Sequence, residues 1–120
     1  MATFSKAILS GSTNGRGIHV NDDTTPGLLI HTGPTTVADI HEIWLYAANY
    51  DTTARKLTIE WGGATAGGDI MELTIAAESG LVLVVPGLIL KGVATALEVR
   101  AFAATTSAIN IFGYVNKIVA

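Results

Sequence analysis

The sequence contains no cysteine among its 120 residues. Disulfides, thiolate zinc sites and cysteine nucleophiles are therefore excluded, and any unusual resistance to unfolding must come from packing. A chain of this length forms one domain and buries roughly two-thirds of the surface that its unfolded state exposes. We therefore expect a single domain over residues 1–120, with a core that needs no covalent cross-links.

Charged residues are also scarce, because they make up only 14% of the chain. The net charge is −3, the pI is near 5.4, and among the seven Lys and Arg only Arg55 and Lys56 are adjacent. Without a basic stripe, nucleic acid is not an expected partner. Apolar residues make up 49% and the mean hydropathy is +0.46, which is high for a small soluble domain. We expect a protein assembly to cover this excess; a surface rich in neutral Thr, Ser and Ala is the alternative.

No apolar run is long enough to span a bilayer. The longest, Leu81 to Leu90, is interrupted by Pro86 and Gly87, and the opening residues lack the apolar stretch of a signal peptide. We therefore expect no membrane partner and no targeting segment.

A sustained helical period is absent as well, although Val93 to Leu97 could form a single helical turn. Instead, about eight to ten short apolar runs are separated by clusters of turn-forming residues. This spacing predicts an all-β fold, namely an antiparallel β-sandwich that is jelly-roll-like in its simplest arrangement. The order of the strands is not encoded in the periodicity.

The stretch from Glu42 to Trp61 has the pattern of a β-hairpin. Two β-rich runs flank a short polar segment in which Asn49 and Asp51 can bond their own backbone. In the second run, the odd-numbered residues from Leu57 to Trp61 are expected to face the core. The even-numbered residues from Lys56 to Glu60 are expected to face solvent, because side chains alternate along a strand.

The first run, residues 42–49, is apolar on both sides because Ile43 and Leu45 alternate with Trp44 and Tyr46. Such a strand lies in the centre of its sheet or meets a partner with its second face. With Ile43 and Leu45 in the core, Trp44 and Tyr46 point outward, where large aromatic side chains are typical interface anchors. A sugar-binding platform is the alternative role for outward aromatic residues, although most aromatics of this chain are expected to be packing residues.

The second half of the chain predicts further strands. Residues 69–77, 97–103 and 108–119 alternate between apolar and polar positions, and the last run is expected to pair inside a sheet. The run from Leu81 to Val85 is apolar throughout, which predicts a strand covered on both sides.

Residues 1–36 are predicted to form a loop-rich N-terminal arm, with a possible edge strand from Thr3 to Leu9. The segment from Ser10 to Gly17 contains three glycines and an Asn-Gly pair, but it lacks the Gly-Lys-Ser/Thr ending of a P-loop. We expect a mobile loop or an arm that orders on contact with a partner.

Metal chemistry is not predicted, because His19, His31 and His41 lack the His-x-His spacing that brings two ligands to one face of a strand. We expect these histidines to be hydrogen-bonded structural residues. A small cupin-like enzyme is the alternative that bound metal would favour.

Acid–base and nucleophilic catalysis are not predicted either. Three carboxylates are expected on solvated strand faces, in reach of cross-strand cations: Glu60, Glu72 and Glu98. Four serines lie in predicted turns without a nucleophile elbow: Ser10, Ser12, Ser79 and Ser107. No catalytic residue and no cofactor is therefore expected.

Six short phrases are spread over nearly the whole chain: Ala7–Ile18, Thr25–Thr32, Glu42–Ala47, Arg55–Gly63, Leu81–Gly87 and Ile111–Ile118. In these phrases the chain resembles a group of small virion proteins of tailed bacteriophages. The similarity includes no catalytic signature.

This resemblance implies a head decoration or cement protein on the capsid surface of the virion, made in the host cytoplasm. It implies the major capsid protein as partner and self-association, with a homotrimer favoured by closed symmetry. A tail or fibre component that binds host-surface glycans is the alternative. The resemblance assigns no residue roles. From the outward aromatic side chains and the loop from Ser10 to Gly17, the hypothesised interface residues are Asn14, Arg16, Trp44 and Tyr46.

Overall fold

The computed structural model describes residues 2–65, 67–106 and 108–120. These residues form nine β-strands and no helix. They therefore contain no helix that could cross a membrane. The strands in chain order are β1 Thr3–Ile8, β2 Ile18–His19, β3 Leu28–Thr32, β4 Ile40–Asn49, β5 Arg55–Trp61, β6 Ile70–Ile75, β7 Val82–Lys91, β8 Glu98–Ala103 and β9 Ile109–Val119. The all-β prediction is confirmed. Val93 to Leu97, which could have formed a single helical turn, is irregular.

The strands form two antiparallel sheets that pack face to face. In sheet A the order is β1-β9-β4-β7, and β2 also pairs with β9; in sheet B the order is β3-β8-β5-β6. Because β1 and β2 pair with successive parts of one edge of β9, they act as a single interrupted strand. Each sheet then has four strands, and the first strand pairs with the last, as in a jelly roll. The predicted jelly-roll-like sandwich is confirmed.

The predicted hairpin between β4 and β5 is wrong, because the two strands belong to different sheets. β4 pairs with β7 and β9, whereas β5 pairs with β6 and β8. The buried side chain of Asn49 explains the corner: its Nδ2 donates to the carbonyl oxygens of Thr53 and Ile75, and its Oδ1 accepts from the Asp51 N–H. Since Ile75 ends β6, this amide connects sheet A to sheet B instead of closing a hairpin turn.

The core lies between the two sheets and is built from alternate strand positions. Ile43 and Leu45 of β4 are fully buried, and β4 lies between β9 and β7, so both predictions for this strand are confirmed. Sheet B faces them with Leu57, Ile59 and Val99, which are also fully buried.

The outer side of β5 is covered at Thr58 and Glu60, contrary to the prediction that it is wet, whereas Lys56 is exposed as predicted. Thr58 and Glu60 are each only 1% exposed. The segment 22–27 lies over them: the Gly27 N–H donates to Glu60 Oε1 at 2.6 Å and the Thr25 hydroxyl donates to Glu60 Oε2 at 2.5 Å. The same segment is tied to β8 by the Ala103 N–H, which donates to the carbonyl oxygen of Asp22. The expectation that Glu60 lies on a solvated face is therefore wrong.

β7 is an edge strand of sheet A, and it continues past Pro86 and Gly87. The register against β4 shifts near Pro86, which indicates a β-bulge. Gly87 adopts the left-handed conformation there, with φ 76°. Leu81 and Leu83 are 63% and 47% exposed. The prediction that the run from Leu81 to Val85 is covered on both sides is therefore wrong for the single chain.

The described part of the predicted arm, residues 2–36, lies along the chain's own sheets, because β1 and β2 extend sheet A and β3 extends sheet B. The loop from Ser10 to Gly17 is held at its start by the Gly11 N–H, which donates to the carbonyl oxygen of Ile30. Its turn is closed by the Ser12 hydroxyl, which donates to the carbonyl oxygen of Arg16.

Candidate interface

The two outer faces of the sandwich differ in chemistry. On sheet B, Lys56 pairs with Glu72 across β5 and β6, and Arg100 pairs with Glu98 along β8, at 3.3 and 2.9 Å. The segment 22–27 covers part of the same face. The part of sheet B that this segment leaves uncovered therefore presents a solvated surface with ion pairs.

The outer face of sheet A carries apolar side chains on all four strands, with Lys6, Glu42 and Asn116 among them. Residues directly opposite each other in an antiparallel pair share a face, so the register gives the neighbours of each side chain. The row through the middle of this face runs from Ile8 to Tyr114, Trp44 and Pro86. The complete set, named here the apolar face, is Phe4, Ile8, Ile40, Trp44, Tyr46, Leu83, Pro86, Ile89, Phe112, Tyr114 and Ile118.

Much of the apolar face is open to solvent. Phe4 is 72% exposed, Ile89 53% and Ile8 49%. Four strands at ~4.8 Å spacing and about eight residues at ~3.3 Å per residue make a face of roughly 500 Å². This outline includes Lys6, Glu42 and Asn116, so the apolar part is smaller and is comparable to the largest apolar patch on a typical monomer, about 300–600 Å², a kind of patch that is often functional.

The centre of the apolar face is built from two aromatic side chains. The rings of Trp44 and Tyr114 have centroids 6.1 Å apart and planes that differ by 10°. The indole lies over Gly87, where a Cβ atom would meet its Cε2 atom at 2.9 Å, so the absence of a side chain there makes room for the ring. The Lys6 ammonium lies 4.8 Å from the centroid of the Tyr114 ring.

One carboxylate, Glu42, lies within this apolar surrounding. The Trp44 Nε1–H donates to Glu42 Oε2 at 2.7 Å, and the Asn116 Nδ2–H donates to the same oxygen at 2.9 Å. The Trp44 hydrogen bond, followed by that from Asn116, lowers the pKa of Glu42 below its usual value. The side chain is therefore ionised at neutral pH and fixed in direction.

The structure places three of the four predicted interface residues on or beside the apolar face. Trp44 and Tyr46 point outward, as predicted. Arg16 lies at the end of the face, where it lines a shallow pocket with Phe112, the residue opposite Tyr46. Asn14 is exposed in the loop with φ 56°, and no described contact joins it to the face.

Sequence reasoning missed Glu42, Phe112 and Tyr114 as members of this surface. Their positions on the outward side of β4 and β9 follow from strand alternation. Their contact with Trp44 and Tyr46 depends on the pairing of β4 with β9, which joins residues about 70 positions apart in the chain.

The histidines are hydrogen-bonded, as predicted. His31 and His41 are both buried and their Nε2 and Nδ1 atoms lie 2.9 Å apart. Because His31 Nδ1 accepts from the Ser10 N–H, its Nε2 carries the proton and donates to His41. His19 Nδ1 lies 2.9 Å from Asn110 Oδ1 on β9.

Burial governs the protonation of the buried histidine pair. Desolvation, then the neighbouring His41, then Lys117 lower the pKa of His31 to about 4. Burial and Lys117 also lower the pKa of His41, against a smaller opposing effect of Asp39. Both imidazoles are therefore neutral at pH 7, and the pair connects β3 of sheet B to β4 of sheet A.

Two of the predicted turn serines hold the N-terminal loop. The Ser10 hydroxyl accepts from the Thr32 N–H, and Ser12 closes the loop onto Arg16. Ser107 lies outside the described residues. Across the described ranges, no three His, Asp or Glu side chains form a group that could hold a metal ion.

Neither a protein-family model nor a curated protein matches this chain. The class that the fold defines is a jelly-roll β-sandwich, and its distinguishing surface is the apolar face.

Proposed function

We propose that the protein is a bacteriophage capsid decoration, or cement, protein. It binds the head shell on the capsid surface of the virion and stabilises the shell by bridging subunits of the major capsid protein. The observation that carries this proposal is the apolar face, whose outer members are exposed and whose central aromatic side chains are half-buried in the single chain. The resemblance to small virion proteins supplies the identity of the partner.

The composition of the apolar face suits protein contact. Interface cores are enriched in aromatic residues and depleted in charge. Trp44, Tyr46, Phe112 and Tyr114 lie together there, whereas the ion pairs Lys56–Glu72 and Arg100–Glu98 lie on sheet B. We therefore place the shell against sheet A and solvent against sheet B. This role is one of binding and requires no catalytic residue.

Self-association is proposed at the β7 edge, with a homotrimer as the assembly. Leu81 and Leu88 are exposed there, outside the set that forms the apolar face. Pro86 lacks an N–H and interrupts the open edge, so side-chain packing is favoured over strand addition. A closed three-fold ring would use these edges and leave the apolar faces for the shell.

The proposal is tested by adding the purified protein to phage heads that lack it and measuring binding by co-sedimentation. The wild type is expected to bind saturably and to raise the temperature at which the heads open. Tyr46→Ser should weaken binding at least ~30-fold, because truncating an interface anchor costs about 2 kcal/mol or more.

The matched control is Phe102→Ser, which removes an outward aromatic side chain from β8 on sheet B. It should bind heads like the wild type. Thermal unfolding of both variants verifies that they are folded. Absence of wild-type binding, or equal losses in the two variants, would contradict the proposed docking.

Glycan binding by a tail or fibre component is a second candidate. The nearly parallel rings of Trp44 and Tyr114, with Glu42 and Asn116 beside them, combine an aromatic platform with polar groups of the kind that orient a sugar. Saturable binding to a glycan array, lost in Trp44→Ser, together with no affinity for heads, would favour this candidate.

A further inference from the structure

We infer that Glu42 is the point at which the apolar face recognises its partner, and that the shell surface covering this face presents an Arg or Lys side chain to the Glu42 carboxylate. The inference rests on the proposed function and specifies the chemistry of the partner. It follows from how Glu42 is held and from what surrounds it.

The carboxylate is preorganised for a further donor. Trp44 and Asn116 both donate to Oε2, so the other oxygen, Oε1, is left for a third group. The two N–H donors come from β4 and β9, whose pairing fixes the direction of the side chain. A partner cation would therefore meet an acceptor that loses little further freedom on binding.

None of the ion pairs formed by the described residues includes Glu42. Lys6 lies opposite Asn116 in the register and lines the same surface pocket as Glu42, but its ammonium lies over the Tyr114 ring. Lys91 lies opposite Ile40 at the end of the face.

Covering the apolar face would remove water from this ionised carboxylate. A buried charge without a partner is strongly unfavourable, whereas a charge-assisted hydrogen bond from a cation compensates for the lost water. The surrounding apolar residues would then provide contact area, and Glu42 would select the partner and its register. A purely apolar surface, or one with a carboxylate at this point, would be rejected.

The test uses Glu42→Gln in the head-binding assay. A glutamine side chain has nearly the same size and its amide oxygen can still accept from Trp44 and Asn116, so the face keeps its shape while the charge is lost. We expect at least ~10-fold weaker binding to heads and a smaller dependence of the affinity on salt concentration. The matched control is Glu72→Gln on sheet B, which should bind like the wild type.

The outcomes separate this inference from the proposed function. If the wild type does not bind heads at all, both fail. If the wild type binds and Glu42→Gln binds equally well with the same salt dependence, the inference alone is wrong. If Glu42→Gln instead changes the mass of the protein in solution while head binding is unchanged, the occupant is a second copy of the chain, and the inference is also overturned.

Discussion

At the scale of the residue, the buried histidine pair makes the fold sensitive to acid. The folded protein disfavours the charged imidazole of His31, because its pKa is lowered from 6.5 to about 4. Between these values the unfolded chain binds more protons than the folded chain does. The free energy of unfolding should therefore fall as the pH is lowered through this window, and this contribution should level off below it.

Urea titrations at a series of pH values between 6.5 and 4 measure this dependence. His31→Gln should unfold at lower urea at neutral pH, because the bonds to Ser10 and His41 are disturbed, and it should show a smaller change across the window. His19→Gln, at an exposed position, is the control for losing a histidine. An equal change of the free energy of unfolding with pH in the wild type and in His31→Gln would contradict this account.

Some of the residue-level picture follows from sequence and some does not. Strand alternation correctly predicts that Ile43 is buried and Trp44 faces outward, because it depends only on neighbouring residues. The contact between His31 and His41 joins strands of two different sheets, so it cannot be predicted from strand alternation. The same is true of Glu42 and Asn116.

At the scale of the element, the segment 22–27 acts as a cover for β5. Its attachment depends on Glu60, which accepts from the Gly27 N–H and the Thr25 hydroxyl. Glu60→Ala would leave these donors without their acceptor in a buried place, so we expect a loss of about 1–3 kcal/mol in the free energy of unfolding. Denaturant unfolding measures this loss.

The matched control is Glu72→Ala on the adjacent β6, which removes an exposed ion pair with Lys56. That variant should lose less than about 1 kcal/mol. A loss as large as that of Glu60→Ala would mean that the attachment of the segment 22–27 to Glu60 makes no specific contribution to the free energy of unfolding.

Two element-level predictions were wrong for physical reasons. A polar segment between two strands predicts a turn, but residues 50–54 are long enough to cross between sheets, and Asn49 stabilises that corner. A continuous apolar run predicts a covered strand, yet β7 lies at an edge. An apolar run indicates that its side chains will be buried. It does not indicate whether the same chain or a partner buries them.

At the scale of the whole molecule, the apolar face is not the sign of an incomplete fold. The accessible surface of 6209 Å² is close to the ~6,200 Å² expected of a folded monomer of 12.5 kDa. The excess of apolar residues noted in the composition is partly concentrated on sheet A and the β7 edge. Association should therefore depend on surface side chains and leave the stability of the single chain intact.

The proposed homotrimer gives a direct prediction for mass in solution. Sedimentation at micromolar concentration should report three copies for the wild type. Leu88→Lys, at an exposed position of β7, should report one copy while its thermal unfolding changes little. A wild type that stays monomeric at every concentration would contradict self-association at this edge.

The measurement that tests the central claim most directly is a reconstruction of a phage head carrying the protein. The account predicts that the apolar face, with Trp44 and Tyr46, lies against the shell and that the ion pairs of sheet B face solvent. A reconstruction in which Trp44, Tyr46 and the loop from Ser10 to Gly17 are all exposed to water would contradict it, as would heads that never acquire the protein.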